Sequence, residues 1–182
     1  MYCPACGHDN LPGVDRCDAC MASLMKLDIP QATSGLQERL MEDSISALNP
    51  VQAFSMPADA SALEAIEAMK QHHVGCVLAL EGSQLVGIFS ERDFLLKVAG
   101  SSQPLSDIRL RDVMTHKPVA LSPDHSIRFA LHEMSVGGFR HIPLVRNGEP
   151  AGIVSVRDVI GYLCRGLQEA DAKAVEANST PS

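Results

Sequence analysis

The chain has 182 residues, with 15 Lys and Arg against 22 Asp and Glu, for a net charge of −7. That length buries one core of moderate size, or a core plus a small appendage. The acidity lies at the two ends, while residues 45–166 carry 11 basic and 12 acidic groups. No basic stripe is present to release counterions along a duplex, which argues against nucleic acid as a partner. Apolar runs such as Val74 to Leu80 fall far short of the roughly 20 residues a membrane helix needs. The N-terminus runs straight into a cysteine cluster rather than a secretory signal, so a soluble, cytoplasmic protein with no membrane partner is expected.

Residues 1–28 hold two C-x2-C pairs, Cys3 with Cys6 and Cys17 with Cys20, separated by ten residues. Two turns that each present a pair of thiolates place four sulfurs tetrahedrally around Zn²⁺. Two disulfides are the alternative, and a reducing compartment disfavours them. Four thiolates leave no open position for water, so the zinc is expected to be structural. The run resembles the short zinc ribbons at the termini of many prokaryotic proteins. So small a unit has little core, and metal binding should supply most of its folding energy.

Residues 29–44 read as a linker, punctuated by Pro30, Thr33, Ser34 and Gly35, and a lead-in helix. Leu36, Leu40, Met41, Ile45 and Leu48 recur at helical spacing, which predicts an amphipathic helix over Leu36–Leu48.

The remainder of the chain is a duplication. Residues 45–98 align without a gap on residues 110–163, at an offset of 65, with nine identities: Asp59, Ser61, Ala65, Met69, Gly87, Ile88, Ser90, Arg92 and Asp93. The first repeat occupies 45–100 and the second 107–167, with 168–182 a polar tail expected to fray. Each repeat reads strand, helix, strand, strand, helix. In the first, strands are expected at Val51–Met56, Val74–Leu80 and Leu85–Phe89, with Ser61 capping a helix that runs to His72. In the second they are expected at Val119–Leu121, His141–Val145 and Pro150–Val154, with a helix over Ser126–Val136. Asn147-Gly148 is a hairpin signal.

This pattern resembles a tandem pair of CBS domains, the Bateman module. The residues that carry the resemblance are Val113-Met114-Thr115 before Pro118-Val119, Ser122-Pro123-Asp124, Arg140-His141-Ile142-Pro143, and the two closings Gly87-Ile88-Phe89-Ser90-Glu91-Arg92-Asp93 and Gly152-Ile153-Val154-Ser155-Val156-Arg157-Asp158. It implies an α/β (α+β) fold of two β-α-β-β-α units packed by pseudo-two-fold symmetry, homodimers formed through the paired repeats, and clefts that bind adenosine-containing ligands.

Two uses of Ser-x-x-Asp stand open. It is a capping box, and it is also a Ser and a carboxylate at a helix N-terminus, where phosphate and ribose hydroxyls find partners. The resemblance implies ligand contacts at Ser90, Arg92 and Asp93, and at Ser155, Arg157 and Asp158. In the second repeat Thr115, Lys117, Arg140 and His141 stand where the first has Pro50, Gln52, Gly75 and Cys76. Cations bind phosphate better than neutral donors do, so the second repeat is expected to hold the tighter site. Asp158 is assigned to ribose, Ser155 to phosphate, and Val119 and Ile142 to the flanks of the adenine, with Pro143 a further ligand-binding candidate. Arg140 has a solvated salt bridge as its alternative, and His141 a strand-facing role. Cys76 and Cys164 are expected to be packing residues.

No P-loop, G-x-G-x-x-G fingerprint or partnered nucleophile is present, so catalysis is not expected. The leading function is an adenine-nucleotide sensor (AMP, ADP or ATP) acting on a dimer or on an unidentified regulated protein. The competing one is a docking module, in which the zinc ribbon binds protein or nucleic acid on a ligand-free scaffold.

Overall fold

The computed structural model describes residues 2–3, 5–11, 14–24, 40 and 42–178, with side chains as far as Gln168. The fold is mixed α/β, with sheets and helices and no barrel. By their contacts the residues form two compact units. One comprises Val51–Ser122 and His141–Val154, the other Met1–Pro50, Pro123–Arg140 and Ser155–Ser182.

The first unit is built on a four-stranded sheet in the order β1-β2-β3-β4: β1 (Ser55–Pro57), β2 (Cys76–Glu81), β3 (Gln84–Ser90) and β4 (Thr115–His116). β1 runs parallel to β2, and the other two pairings are antiparallel. The parallel crossover is α1 (Ala62–His72), which starts at a capping box. The Ser61 Oγ accepts from the Glu64 N–H at 3.2 Å, and the Glu64 carboxylate accepts from the Ser61 N–H at 2.7 Å. The helix stops at His73, which takes a left-handed conformation.

The continuous apolar run of β2 follows from burial on both faces. Val77 and Ala79 join a core with Ala62, Ala65, Phe89 and Leu110. Cys76 and Leu78 point the other way, into a cluster with Ile88 that Ala53, Leu85 and Ile153 cover. Ile153 belongs to the hairpin of β5 (His141–Arg146) and β6 (Glu149–Ser155), whose turn is the expected Asn147-Gly148 with both residues at positive φ. After β3 a single turn, α2 (Glu91–Asp93), runs into a π-helical turn over Phe94–Val98, and a short α3 (Leu110–Val113) precedes β4.

The second unit holds the cysteine ribbon, α4 (Ile127–Gly137) and α5 (Val156–Asn178). Ser126 caps α4 by accepting from the Phe129 N–H at 3.2 Å, and Gly138 ends it in the left-handed region. α4 and α5 pack together, and a 3₁₀ turn at Ile45–Leu48 packs on α5. Ile45, Ile127, Ala130, Met134, Val159 and Tyr162 are buried in this unit.

Several expected elements are corrected. The amphipathic helix over Leu36–Leu48 does not reach Leu48. Residues 36–39 and 41 lie outside the described residues, and Ser44 is extended because it bridges Ser126. The strand expected from Val51 begins at Ser55, and that at Val119–Leu121 reduces to one parallel bridge between Leu121 and Leu144. The tail expected to fray after Leu167 is helical to Asn178, because its Ala, Glu and Lys are strong helix formers.

The two repeats exchange their lead-in segments. In the sheet unit Ala62 N–H donates to Ile108 at 2.8 Å, Leu110 N–H to Ala60 at 2.9 Å, and Arg111 N–H to Ala58 at 2.9 Å. In the other unit Ile127 N–H donates to Asp43 at 3.0 Å, Ile45 N–H to His125 at 2.8 Å, and Ser46 N–H to Pro123 at 3.0 Å. Each bond of the first set maps onto one of the second at the offset of 65. The segment that leads into each repeat is therefore fastened to the first helix of the other. This exchange, together with the packing of the β5–β6 hairpin on the sheet through Ile153, is why the compact units do not follow the repeat boundaries.

Candidate functional site

The cysteine cluster is built from two copies of one knuckle. Cys3 N–H donates to His8 and Gly7 N–H back to Cys3, both at 2.8 Å; Cys17 N–H donates to Ala22 and Met21 N–H back to Cys17, both at 2.9 Å. Each knuckle needs a left-handed residue after its second cysteine. Gly7 supplies one at φ 72°, and Met21 does so at φ 62° without glycine's freedom. Asn10, 4% exposed, joins the knuckles by accepting from the Asp18 N–H and donating to the His8 carbonyl, both at 2.9 Å.

The four sulfurs lie within 4.8 Å of one another, and Cys3–Cys20 and Cys6–Cys17 are each 3.6 Å apart. A tetrahedral Zn²⁺ with bonds of about 2.3 Å requires sulfurs about 3.8 Å apart, so the donor set fits. Among the described residues it is the only group of His, Cys, Asp or Glu arranged to hold a metal ion. Burial pushes the Cys17 thiol up, but the N–H groups of Cys20 and Ala19, with Asn10 and Cys6, outweigh it and bring it to about 6. Burial and the three neighbouring thiols push Cys20 up to about 12. One thiolate forms readily, and a bound cation is what would bring in the last.

The two Ser-x-x-Asp closings are both capping boxes, and they differ in one respect. In the second repeat Asp158 Oδ2 accepts from the Ser155 N–H and hydroxyl, each at 2.7 Å, while Ser155 Oγ accepts from the Asp158 N–H at 3.4 Å. Asp158 is half-buried, and its Oδ1 has no hydrogen-bond partner among the described residues. In the first repeat Asp93 Oδ2 accepts from the Ser90 N–H at 3.0 Å and its hydroxyl at 2.6 Å. There Oδ1 is also taken, by Lys97 Nζ at 2.8 Å and Thr115 Oγ1 at 2.9 Å. Burial raises the Asp93 carboxyl, yet the bonds from Lys97, Ser90 and Thr115 prevail and hold it below its ordinary value. Sequence reasoning missed Lys97, although an acid and a lysine four places apart on one helical turn was a signal for it.

The remaining predicted residues divide between the two units. Thr115, assigned to the second repeat's site, is instead bonded to Asp93 of the first, because β4 pairs with β3. Lys117 follows on the same edge, donating its N–H to Val86 at 3.1 Å, and is exposed. Val119 is 40% exposed. Ile142 is 0% exposed and Pro143 is fully buried, and Leu144 after them is buried too, so three consecutive positions of β5 are covered. His141 lies over Gly75, its Cε1 3.2 Å from where a Cβ would stand, with Glu91 beside it. Arg140, Arg157 and Arg92 are exposed. Arg140, Ser155, Arg157 and Asp158 fall in the helical unit, and Thr115, Lys117, Val119, His141, Ile142 and Pro143 in the sheet unit.

Cys76 is buried as expected, its thiol pushed up to about 12 by burial and by the charges of Glu91 and Asp93. Cys164 is exposed rather than packed.

The sequence matches the profile described as CBS domain twice, at residues 48–100 and 110–165. The chain belongs to the CBS-domain family. It is similar to the CBS domain-containing protein CBSCBSPB5 of Arabidopsis thaliana, with 30% identity over 142 residues. That alignment covers 75% of this chain but 26% of the relative, so the chain spans about a quarter of its length. Among solved structures, the CBS-domain protein ATU1752 from Agrobacterium tumefaciens superposes with a TM-score of 0.61 at 27% identity, over 66% of this chain and 98% of that one. PAE2072 from Pyrobaculum aerophilum, solved in complex with AMP, gives 0.59 at 25% identity over 64% and 89%. The chain thus carries a tandem pair of CBS domains, preceded by four cysteines that can hold a metal. Among the described residues no helix is long and apolar enough to cross a membrane.

Proposed function

We propose that this CBS protein is a non-catalytic sensor that binds an adenosine-containing nucleotide (AMP, ADP or ATP) through Asp158. Its occupancy is passed to a dimer or partner interface. The observation that carries this reading is the state of Asp158 Oδ1: a carboxylate oxygen held at the start of a long helix by a capping box, with no partner among the described residues. A ribose diol supplies the two donors that such an oxygen accepts. The AMP bound to PAE2072 supports the ligand class.

The roles of the neighbours follow from their bonds. The Ser155 hydroxyl gives its one proton to Asp158, so it reaches a phosphate only by rotating away. The exposed Arg157 and Arg140 are the cations of that unit for phosphate charge. The ribbon holds a structural Zn²⁺ on Cys3, Cys6, Cys17 and Cys20. Dimerisation would use exposed apolar residues that neither unit covers, Leu95 and Leu96 in one and Ile160 in the other.

A sensor needs a ligand whose affinity differs between two states. The test is calorimetric titration of AMP and ATP into wild type and Asp158→Ala. Losing hydrogen bonds to a charged carboxylate costs about 1.5–3 kcal/mol, or roughly 10- to 150-fold in affinity. If neither nucleotide binds wild type below millimolar, the sensor reading fails and the docking-module reading takes its place.

A further inference from the structure

We infer that the chain closes its own first-repeat carboxylate, and that Lys97 is the residue that decides it, so that only the second repeat takes nucleotide. This rests on the nucleotide reading of Asp158 and says which of the duplicated sites is open.

A carboxylate offers about four acceptor positions. At Asp93 four donors fill them: the Ser90 N–H, the Ser90 hydroxyl, the Lys97 ammonium and the Thr115 hydroxyl. The residue is 7% exposed. Lys97 is itself anchored at both ends of its reach, because Nζ also donates to the Met114 carbonyl at 3.0 Å. The ammonium therefore ties the turn after Asp93 to the end of α3. That turn is the π-helical one, Phe94–Val98, closed by the Ala99 N–H on the Phe94 carbonyl at 2.9 Å. A ribose diol would have to displace an ion pair whose cation has a second partner.

The second repeat lacks both closing donors at the equivalent positions. At the offset of 65, Lys97 corresponds to Tyr162, and the Tyr162 hydroxyl is directed to Asp43 Oδ2 instead. Thr115 corresponds to Pro50, whose side chain has no donor. The inner half of the box, Ser to Asp Oδ2, is the same in both repeats, so the difference is confined to Oδ1. Duplication produced two similar boxes, and two substitutions separate a filled one from an open one.

The experiment is calorimetric titration with AMP, reading stoichiometry. Wild type is expected to bind one AMP per chain, Asp158→Ala to bind none, and Lys97→Met to bind a second AMP. Should Lys97→Met fail to fold, Thr115→Val frees an acceptor position on the same oxygen and is expected to gain the second event in its place. Two AMP per wild-type chain, or a stoichiometry of one in the folded opening variant, overturns the closure while leaving the Asp158 reading intact. If no variant binds AMP, both fall together.

Discussion

The Tyr162 hydroxyl donates to Asp43 Oδ2 across 119 residues of sequence, and the Asp43 backbone carbonyl accepts the Ile127 N–H that opens α4. One residue of the lead-in segment thus serves the second repeat twice. Tyr162 is 6% exposed, so Asp43→Ala takes a charged acceptor from a buried residue. That change should destabilise by about 1.5–3 kcal/mol, the worth of a hydrogen bond to a charged group. Tyr162→Phe should cost less, about 0.5–1.5 kcal/mol, and the double variant should fall short of the sum. Urea denaturation of the three variants checks this, and strict additivity would refute the coupling.

That relationship marks where the sequence was readable and where it was not. The duplication, the capping Ser residues, the Asn147-Gly148 turn and the Cys pairs each depend on residues near one another in the chain, and all stand in the structure. The exchange of lead-in segments depends on which repeat receives each segment, which local patterns do not encode. Thr115 was misassigned for that reason: it precedes the second repeat in sequence and serves the first in space. Ile142 and Pro143 are buried side by side, which a motif matched by letters does not reveal.

The buried Asp93 ties stability to pH in a defined direction. Its folded value lies below the ordinary 3.8, against burial, because Lys97, Ser90 and Thr115 hold the charged form. A depressed carboxyl contributes stability above its unfolded pKa, and that contribution is lost as pH falls through the folded value. Stability should thus decline below about pH 4. Lys97→Met removes one of the bonds that hold the charged form, so the folded value moves up toward the unfolded one and the acid decline should be smaller. Unfolding free energies of wild type and Lys97→Met measured from pH 6 to pH 2 would check the shift, and identical profiles would count against the ion pair.

Exposed leucines beside the π-turn predict self-association. Leu95 and Leu96 are 67% and 72% exposed on adjacent positions, where a solvated turn would carry polar residues. Light scattering should return about twice the chain mass at micromolar concentration, and Leu96→Glu should lower it, since a carboxylate buried in an apolar contact lacks a partner. A wild-type mass of 19.5 kDa would remove the dimer.

The ribbon provides a test in which stability and metal move together. The buried apolar residues among those described in it are Cys3, Cys17 and Leu24, too few to order the segment without an ion. Elemental analysis should find about one Zn²⁺ per chain, and Cys17→Ser should lose it. Met21 offers a finer probe, because it holds the left-handed position that Gly7 holds in the other knuckle. An L side chain there costs about 1 kcal/mol over glycine, and Met21 is 62% exposed, so little packing is lost by removing it. Met21→Gly should therefore tighten zinc binding by roughly five-fold, the equivalent of about 1 kcal/mol. Gly7→Ala, the opposite change at the equivalent position, should weaken it by a similar factor. Competition with a chromophoric chelator measures both; if Met21→Gly loosens zinc while Gly7→Ala leaves it unchanged, the two knuckles do not share the strain assigned to them.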